Sequence, residues 1–245
     1  RRDNGLPTGL VCRVAVESGE LAFEFLPVAV EQTTLGGLAR QATLIGQLRR
    51  QFSNCIAIDG GNIIAGNTHP LKAQLAHRHY IRIGYDAVAL GKGELSFGLD
   101  RFASLVPDLK KGHEQSFICT NLSRSDGLRT EKSEIITSGP YKIAVLGYVS
   151  QAMLPDKMSA GAVSPSINEL KVRLTSPRIR RCNLRIVVVH DTWEHIRSYA
   201  GELPHADIIL CASLDQRFDA PLKVGSSLLL SAGRHGLFTG VLSIR

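Results

Sequence analysis

The sequence holds no apolar run near the roughly 18 residues that a membrane-spanning helix requires, and no signal-peptide-like apolar region follows Arg1. Its five cysteines, Cys12, Cys55, Cys119, Cys182 and Cys211, form neither a CxxC pair nor a CxxCH segment. That excludes the usual zinc-finger spacing and covalent haem attachment. Cys55, Cys119 and Cys211 fall inside apolar strand-like runs, where a cysteine serves as a small buried hydrophobe. Aromatic residues are few at 6%, with Trp193 the single tryptophan. The densest basic cluster, Arg178, Arg180, Arg181 and Arg185, flanks Pro177 in an expected connecting loop, and no aromatic residue is interleaved with it. A net charge of +7 therefore points to acidic protein surfaces or peripheral membrane contact, and no nucleic-acid partner is expected.

What is present is a globular composition, 44% hydrophobic and 21% charged over 245 residues. Short β-branched runs alternate with helix-period segments. Strands are expected at 55–61 (CIAIDGG), 86–91 (DAVALG), 116–122 (SFICTNL), 141–149 (YKIAVLGYV), 185–191 (RIVVVHD) and 206–213 (ADIILCAS). Residues 226–244 read as a closing hairpin with Gly233 and Gly236 bracketing its turn. Helices are expected within 35–52, 69–84, 164–177 and 192–203, with Pro70 in a first turn and Thr192 as an N-cap. Residues 123–133 and 151–166 have loop composition. Strand–helix alternation makes this an α/β protein.

Four polar points fall just past strand ends: 59–62, 92–94, 190–191 and 213–215. In open α/β sheets such loops converge on one crevice, and aspartate, asparagine and histidine gathered there build two-metal phosphoesterase sites. His77 and His79 form an HxH, but about 200° apart on a helix they share no face; both are expected on a solvated helix surface. His195 is expected on the outer helix, Trp193 in packing, and Asn121 in a strand-end hydrogen bond.

The order of these pieces resembles the metallophosphatase domain of the 5′-nucleotidase family, within the calcineurin-like phosphoesterases. GGLARQATLIGQLR (36–49) resembles the family's GGLARxATxIxxLR helix. AIDGGNIIAG (57–66) resembles LDAGDxxxG, and YDAVALGKGELSFG (85–98) resembles YDAxxxGNHEFDFG. SFICTNL, ADIILCASLD (206–215) and SAGRHGLFTGVLSI (231–244) follow in the family's order. The resemblance implies a four-layer α/β/β/α sandwich of two mixed sheets. It implies one metallophosphatase-like domain over 1–245 without the C-terminal specificity domain of larger nucleotidases, and a periplasmic or extracellular setting.

The same resemblance marks what has been exchanged. The family's metal-bridging aspartate falls on Asn62, its GNHE asparagine on Lys92 and the following histidine on Gly93, while Glu94 matches. His190 suits the family's SHxG histidine, and the GHxH histidines fall on Ser213 and Asp215. The first metal motif, DxH, does not occur before the GGLAR helix; SGELAFEFLP (18–27) is the nearest segment and places Glu20 and Ala22 there. A protonated lysine has no lone pair for a metal, and its charge opposes a dication by about 8 kcal/mol at roughly 4 Å and an effective dielectric near 20.

The expectation is therefore a lost dinuclear site, with no metal, no cofactor and no catalytic residue. A remnant of Asp59, Asn62, Lys92, Gly93, Glu94, Asn121, His190, Ser213 and Asp215 is expected to persist. Lys92 is expected to neutralise Asp59, Glu94 or Asp215. The function so implied is that of a structural or interaction subunit. The alternatives are a non-catalytic binder of a phosphate-bearing or anionic ligand, and a phosphohydrolase with a remodelled site.

Overall fold

Alternation along the strands sets the layering. The computed structural model describes residues 9–14, 21–27, 37–105, 117–124, 127–155, 162–233 and 237–244. In chain order its strands are β1 (Gly9–Val14), β2 (Leu21–Pro27), β3 (Cys55–Asp59), β4 (Ala87–Ala89), β5 (Phe117–Ile118), β6 (Thr130–Glu131), β7 (Glu134–Ser138), β8 (Tyr141–Val149), β9 (Leu184–His190), β10 (Ile208–Cys211), β11 (Leu222–Val224), β12 (Ser227–Leu230) and β13 (Phe238–Ile244). The helices are α1 (Leu38–Gln51), α2 (Pro70–Ile83), α3 (Lys92–Phe97), α4 (Leu99–Leu105), α5 (Asn168–Thr175), α6 (Pro177–Arg180) and α7 (Trp193–Ala200).

On β9, Ile186 and Val188 point one way and Val187 and Val189 the other, as a period of two requires. On β3, Ile56 and Ile58 meet Ile186 and Val188, whereas Ala57 faces α1 and α2. Strands apolar on both faces need cover on both faces, and three cores result. Ile45 and Leu48 of α1, Tyr80 and Ile83 of α2 and Phe102 of α4 cover one sheet. Ile56, Ile58, Val145, Ile186, Val188 and Leu210 fill the space between the sheets. Leu170 and Leu174 of α5, Ile179 of α6 and Ile196 and Ala200 of α7 cover the second sheet. Each such side chain contributes about 1.5–3 kcal/mol by leaving water. The four-layer α/β/β/α expectation stands.

Both sheets are mixed. The first runs β2-β13-β1-β3-β4-β5-β6, with β3, β4, β5 and β6 parallel and β1 antiparallel to β3. The second runs β11-β12-β10-β9-β8-β7, parallel from β12 to β8 and antiparallel at both edges. The parallel strands of the two sheets end at a common rim, where the β3 loop touches His190.

Two expectations need correction. Residues 226–244 are not a hairpin: β12 pairs with β10 and β11, while β13 crosses to the other sheet and pairs with β1 and β2. Gly233, at φ 75°, turns the chain out of one sheet. Two apolar runs around a glycine turn look the same whether they pair with each other or with strands of opposite sheets. His77 is not on a solvated surface but 2% exposed, in line with Ala73 and Tyr80 on the buried face of α2. Its ring packs edge-on to Phe102 at 5.6 Å, while His79, on another face, is exposed. The helix ends follow their caps. Gly84 closes α2 at φ 68°, and the Thr192 hydroxyl accepts from the His195 N–H.

Candidate functional site

The loop leaving β3 is folded back by two left-handed residues, Gly61 at φ 82° and Asn62 at φ 60°. Asparagine tolerates this region better than most residues. Asp59, fully buried, accepts the Gly61 N–H at 2.7 Å, with the Tyr85 hydroxyl beside it. Burial holds its carboxyl well above the ordinary range; the Gly61 bond opposes that, and the Glu94 charge adds to it.

Glu94, buried, points inward from α3. Its two oxygens accept the backbone N–H groups of Ile63 (2.7 Å), Gly91 (2.8 Å), Asn62 (3.0 Å) and Ile64 (3.4 Å). Burial raises its pKa, and the Gly91 and Asn62 bonds lead the opposing contributions. The carboxylate thus stitches the β3 loop to the start of α3.

Asn62 and His190 meet directly. A carbonyl only accepts, so the 2.6 Å contact between His190 Nε2 and the Gly60 oxygen puts the proton on Nε2. Burial, and to a lesser degree the Lys92 charge, lowers the His190 pKa to about 4, against the pull of the Gly60 bond. The ring is neutral, which leaves Nδ1 as an acceptor. Asn62 Oδ1 takes the Gly93 N–H at 2.9 Å, so its amide nitrogen faces Nδ1 at 3.4 Å. Every orientation in this chain of bonds agrees with its neighbours, and both ring nitrogens of His190 are occupied.

Lys92 departs from expectation. It is half-buried and forms no ion pair with another described residue. The reason is geometric: Glu94 spends its charge on backbone N–H groups, and Asp215 stands exposed at a different cleft. Gly93 is buried, and a Cβ built on it would run into the Ile64 backbone oxygen. The backbone leaves no room for a side chain at this position.

The other remnant residues are structural links. The Ser213 hydroxyl donates to the Asp191 carbonyl (2.6 Å) and accepts the Asp191 N–H (3.0 Å), joining the ends of β9 and β10. Asn121 is buried; its amide donates to the Val149 and Ser164 carbonyls, and its oxygen accepts the Val149 N–H. Asp191, its side chain 3% exposed, accepts from Thr192 N–H, the Tyr199 hydroxyl and the His195 ring. Glu20 lies outside the described residues. Among the described residues, no group of three or more His, Cys, Asp or Glu side chains is placed to share a metal ion. Cys55, Cys119, Cys182 and Cys211 are free thiols. Arg185 lies in β9, not a loop, and pairs with Asp207 at 2.8 Å, while Arg178, Arg180 and Arg181 stay exposed.

Beside the remnant, a cleft of about 700 Å³ opens past the ends of β9 and β10. Trp193, Ser213, Asp215, Arg217 and Phe218 are among its walls. Sequence reasoning placed 190–191 and 213–215 at a crevice but missed the wall that Arg217 and Phe218 add, because they sit in an irregular stretch with no period. It also missed the N–H groups of Ile63 and Ile64, which no side-chain motif can announce.

Fold and comparisons agree on the class. The chain has the fold of the calcineurin-like phosphoesterases. It superposes on the NAD nucleotidase of Haemophilus influenzae with a TM-score of 0.69 at 14% identity, over 97% of this chain and 53% of that one. For a calcineurin-like phosphoesterase of Bacillus subtilis the TM-score is 0.60 at 17% identity, over 91% and 81% of the chains. Its sequence relatives are more particular: the chain is similar in sequence to 5′-nucleotidases. It is 29% identical over 128 residues to a snake venom 5′-nucleotidase of Gloydius brevicauda, covering 49% of this chain and 21% of that protein. It is 24% identical over 187 residues to the 5′-nucleotidase of Bos taurus, covering 72% and 32%. The chain thus spans about a fifth to a third of the length of these relatives. No family model matches it. Among the described residues, no helix is long and apolar enough to cross a membrane.

Proposed function

We propose that this chain is a 5′-nucleotidase-like metallophosphoesterase domain that does not hydrolyse phosphate esters and serves as a structural or interaction subunit of a larger assembly. The observation that carries this reading is the closed chain Gly60–His190–Asn62–Gly93. Where the family sets two metal ligands, this protein bonds the two side chains to each other. The donor set does not fit a pair of divalent ions. His190 has one lone pair, and the Asn62 amide takes it; Lys92 has none; Glu94 is committed to four N–H groups. Gly93 leaves no space for a side chain. The +7 charge and the exposed Arg178, Arg180 and Arg181 favour acidic protein surfaces as partners. An extracytoplasmic setting follows the relatives, one of them a venom protein.

The test is metal analysis of the purified protein with turnover of bis-p-nitrophenyl phosphate and AMP in added Mn²⁺ or Zn²⁺. Substoichiometric metal and no turnover are expected, with partners recovered when the native protein is purified. Stoichiometric metal, with turnover abolished by His190→Ala, overturns the proposal. A second reading, non-catalytic binding of a phosphate-bearing anion at the remnant, draws on Lys92, which forms no ion pair with another described residue. Titration with inorganic phosphate by calorimetry, with Lys92→Ala as control, decides it: heat that saturates and vanishes in the variant supports it.

A further inference from the structure

We propose that the outer face of α1 and α2 docks on an anionic lipid surface. The proposal stands whether or not the remnant site is catalytic. The inner side of α2, with Ala73, Tyr80 and Ile83, is buried against the first sheet. The outer side of such a helix is ordinarily polar, yet Leu71 and Leu75 stand 58% and 47% exposed. They head a single stripe. Leu71, Leu75, Arg78 and Arg82 follow one another at steps of four, three and four, within about 60° around the helix axis. A lone exposed leucine is ordinary, but packing does not account for a pair whose stripe continues into two exposed arginines.

The charge of this face has one sign. α1 and α2 pack against each other, and neither carries a carboxylate. Together they hold six basic residues, Arg40, Arg49 and Arg50 on α1 and Lys72, Arg78 and Arg82 on α2. Arg49 is spent on Asp86 and the Ile83 carbonyl. Arg50, Lys72, Arg78 and Arg82 are exposed, and none forms an ion pair with another described residue. The adjoining chain does not offset them. α4, packed against α2, holds Asp100 and Arg101 in balance. In the sequence, Asp108 and Glu114 are matched by Lys110 and Lys111, and 28–36 adds only Glu31. Exposed cations beside exposed leucines suit one occupant. Lipid phosphates take up the cations, while the leucines reach the boundary between headgroups and acyl chains, whatever the outline of the face. An acidic protein would meet the arginines but leave the leucines idle unless it also carried a fitted apolar pocket.

The experiment sediments the protein with vesicles of equal parts phosphatidylcholine and phosphatidylglycerol, and with vesicles of phosphatidylcholine alone. Binding to the first that weakens as salt is raised, and none to the second, is expected. Each cation near such a surface contributes about fivefold, so Arg78→Glu with Arg82→Glu should weaken binding by more than about twentyfold. Leu71→Ser with Leu75→Ser leaves the charge unchanged and should weaken it about tenfold. Arg178→Glu with Arg180→Glu makes the same charge change on α6, in the opposite outer layer, and should cost less than about threefold. All six positions are exposed, so the fold bears the substitutions. No binding to the anionic vesicles, an equal loss in the α6 variant, or a leucine variant that binds as wild type does overturns the proposal. The last result, joined by tight binding to poly-L-glutamate, would assign the face to an acidic protein instead.

Discussion

His190 and Asp191 are adjacent in sequence yet belong to two different polar centres. His190 turns toward the first sheet and enters a knot in which Gly60, Asn62, Gly93 and Glu94 satisfy one another. Asp191 faces α7 and a cleft whose aromatic and acidic walls stand open. The first centre stands where the family does chemistry, and its groups have already found partners. The second, which includes Ser213 and Asp215, lines an open cleft. Residue types alone do not make a site; uncommitted lone pairs and accessible faces do.

The sharpest way to break this contrast is to remove one carboxylate from each centre. Glu94→Ala strips four buried N–H groups of their acceptor and should cost about 4 kcal/mol in urea unfolding, since each stranded donor costs about 1–3 kcal/mol and the losses overlap. Asp215→Ala, at the open cleft, should stay within about 0.5 kcal/mol of wild type. Equal losses would dissolve the distinction.

The next effect is a pH dependence. The His190 pKa is about 4 in the folded protein against 6.5 ordinarily, so the unfolded chain takes up this proton first. The favourable contribution of the neutral ring is whole above about pH 6.5 and is lost as pH falls toward 4, by about 3 kcal/mol. Asp59 and Glu94, both raised by burial, act in the opposite sense over their own windows. His190→Gln removes the histidine contribution alone. Its stability should therefore fall less steeply than that of wild type between pH 6.5 and 4, and parallel curves from denaturant midpoints would refute the neutral assignment.

The smallest effect tests the closure of the backbone. Gly93→Ala should cost about 2 kcal/mol, typical of overpacking against a backbone atom. A variant as stable as wild type would mean that the loop yields and that the family's histidine has room after all.

Much of the fold was legible because the central strands carry apolar residues on both faces and each long helix has one stripe. Ile186, Val187, Val188 and Val189 announce a strand covered on both sides wherever it sits. The partner of a strand is another matter. Nothing within residues 226–244 distinguishes a hairpin from two strands in opposite sheets, because pairing is decided by chain segments far away. The site divides in the same way. The exchange of ligands at Asn62, Lys92 and Gly93 is what the resemblance of the flanking motifs implies. The bond between Asn62 and His190 spans 128 positions, and the four N–H groups on Glu94 come from backbone, which carries no letter. Lys92 was misassigned to a carboxylate because charge can be counted in a sequence but the acceptors already spoken for cannot. His77 was misplaced for a related reason: its polarity outweighed its position on the stripe of Ala73 and Tyr80.

The placement of β13 bears on biosynthesis. Residues 238–244 lie between β1 and β2, parallel to one and antiparallel to the other. β1 can pair with β3 early, but neither it nor β2 can pair with β13 while the ribosome is still making the region between. They must wait through more than 200 positions of synthesis, at about 5–20 residues per second, for the segment that joins them. Until then the β1 edge that later receives β13 has unclaimed hydrogen-bonding groups, the kind of edge that chaperones shield and that aggregates recruit.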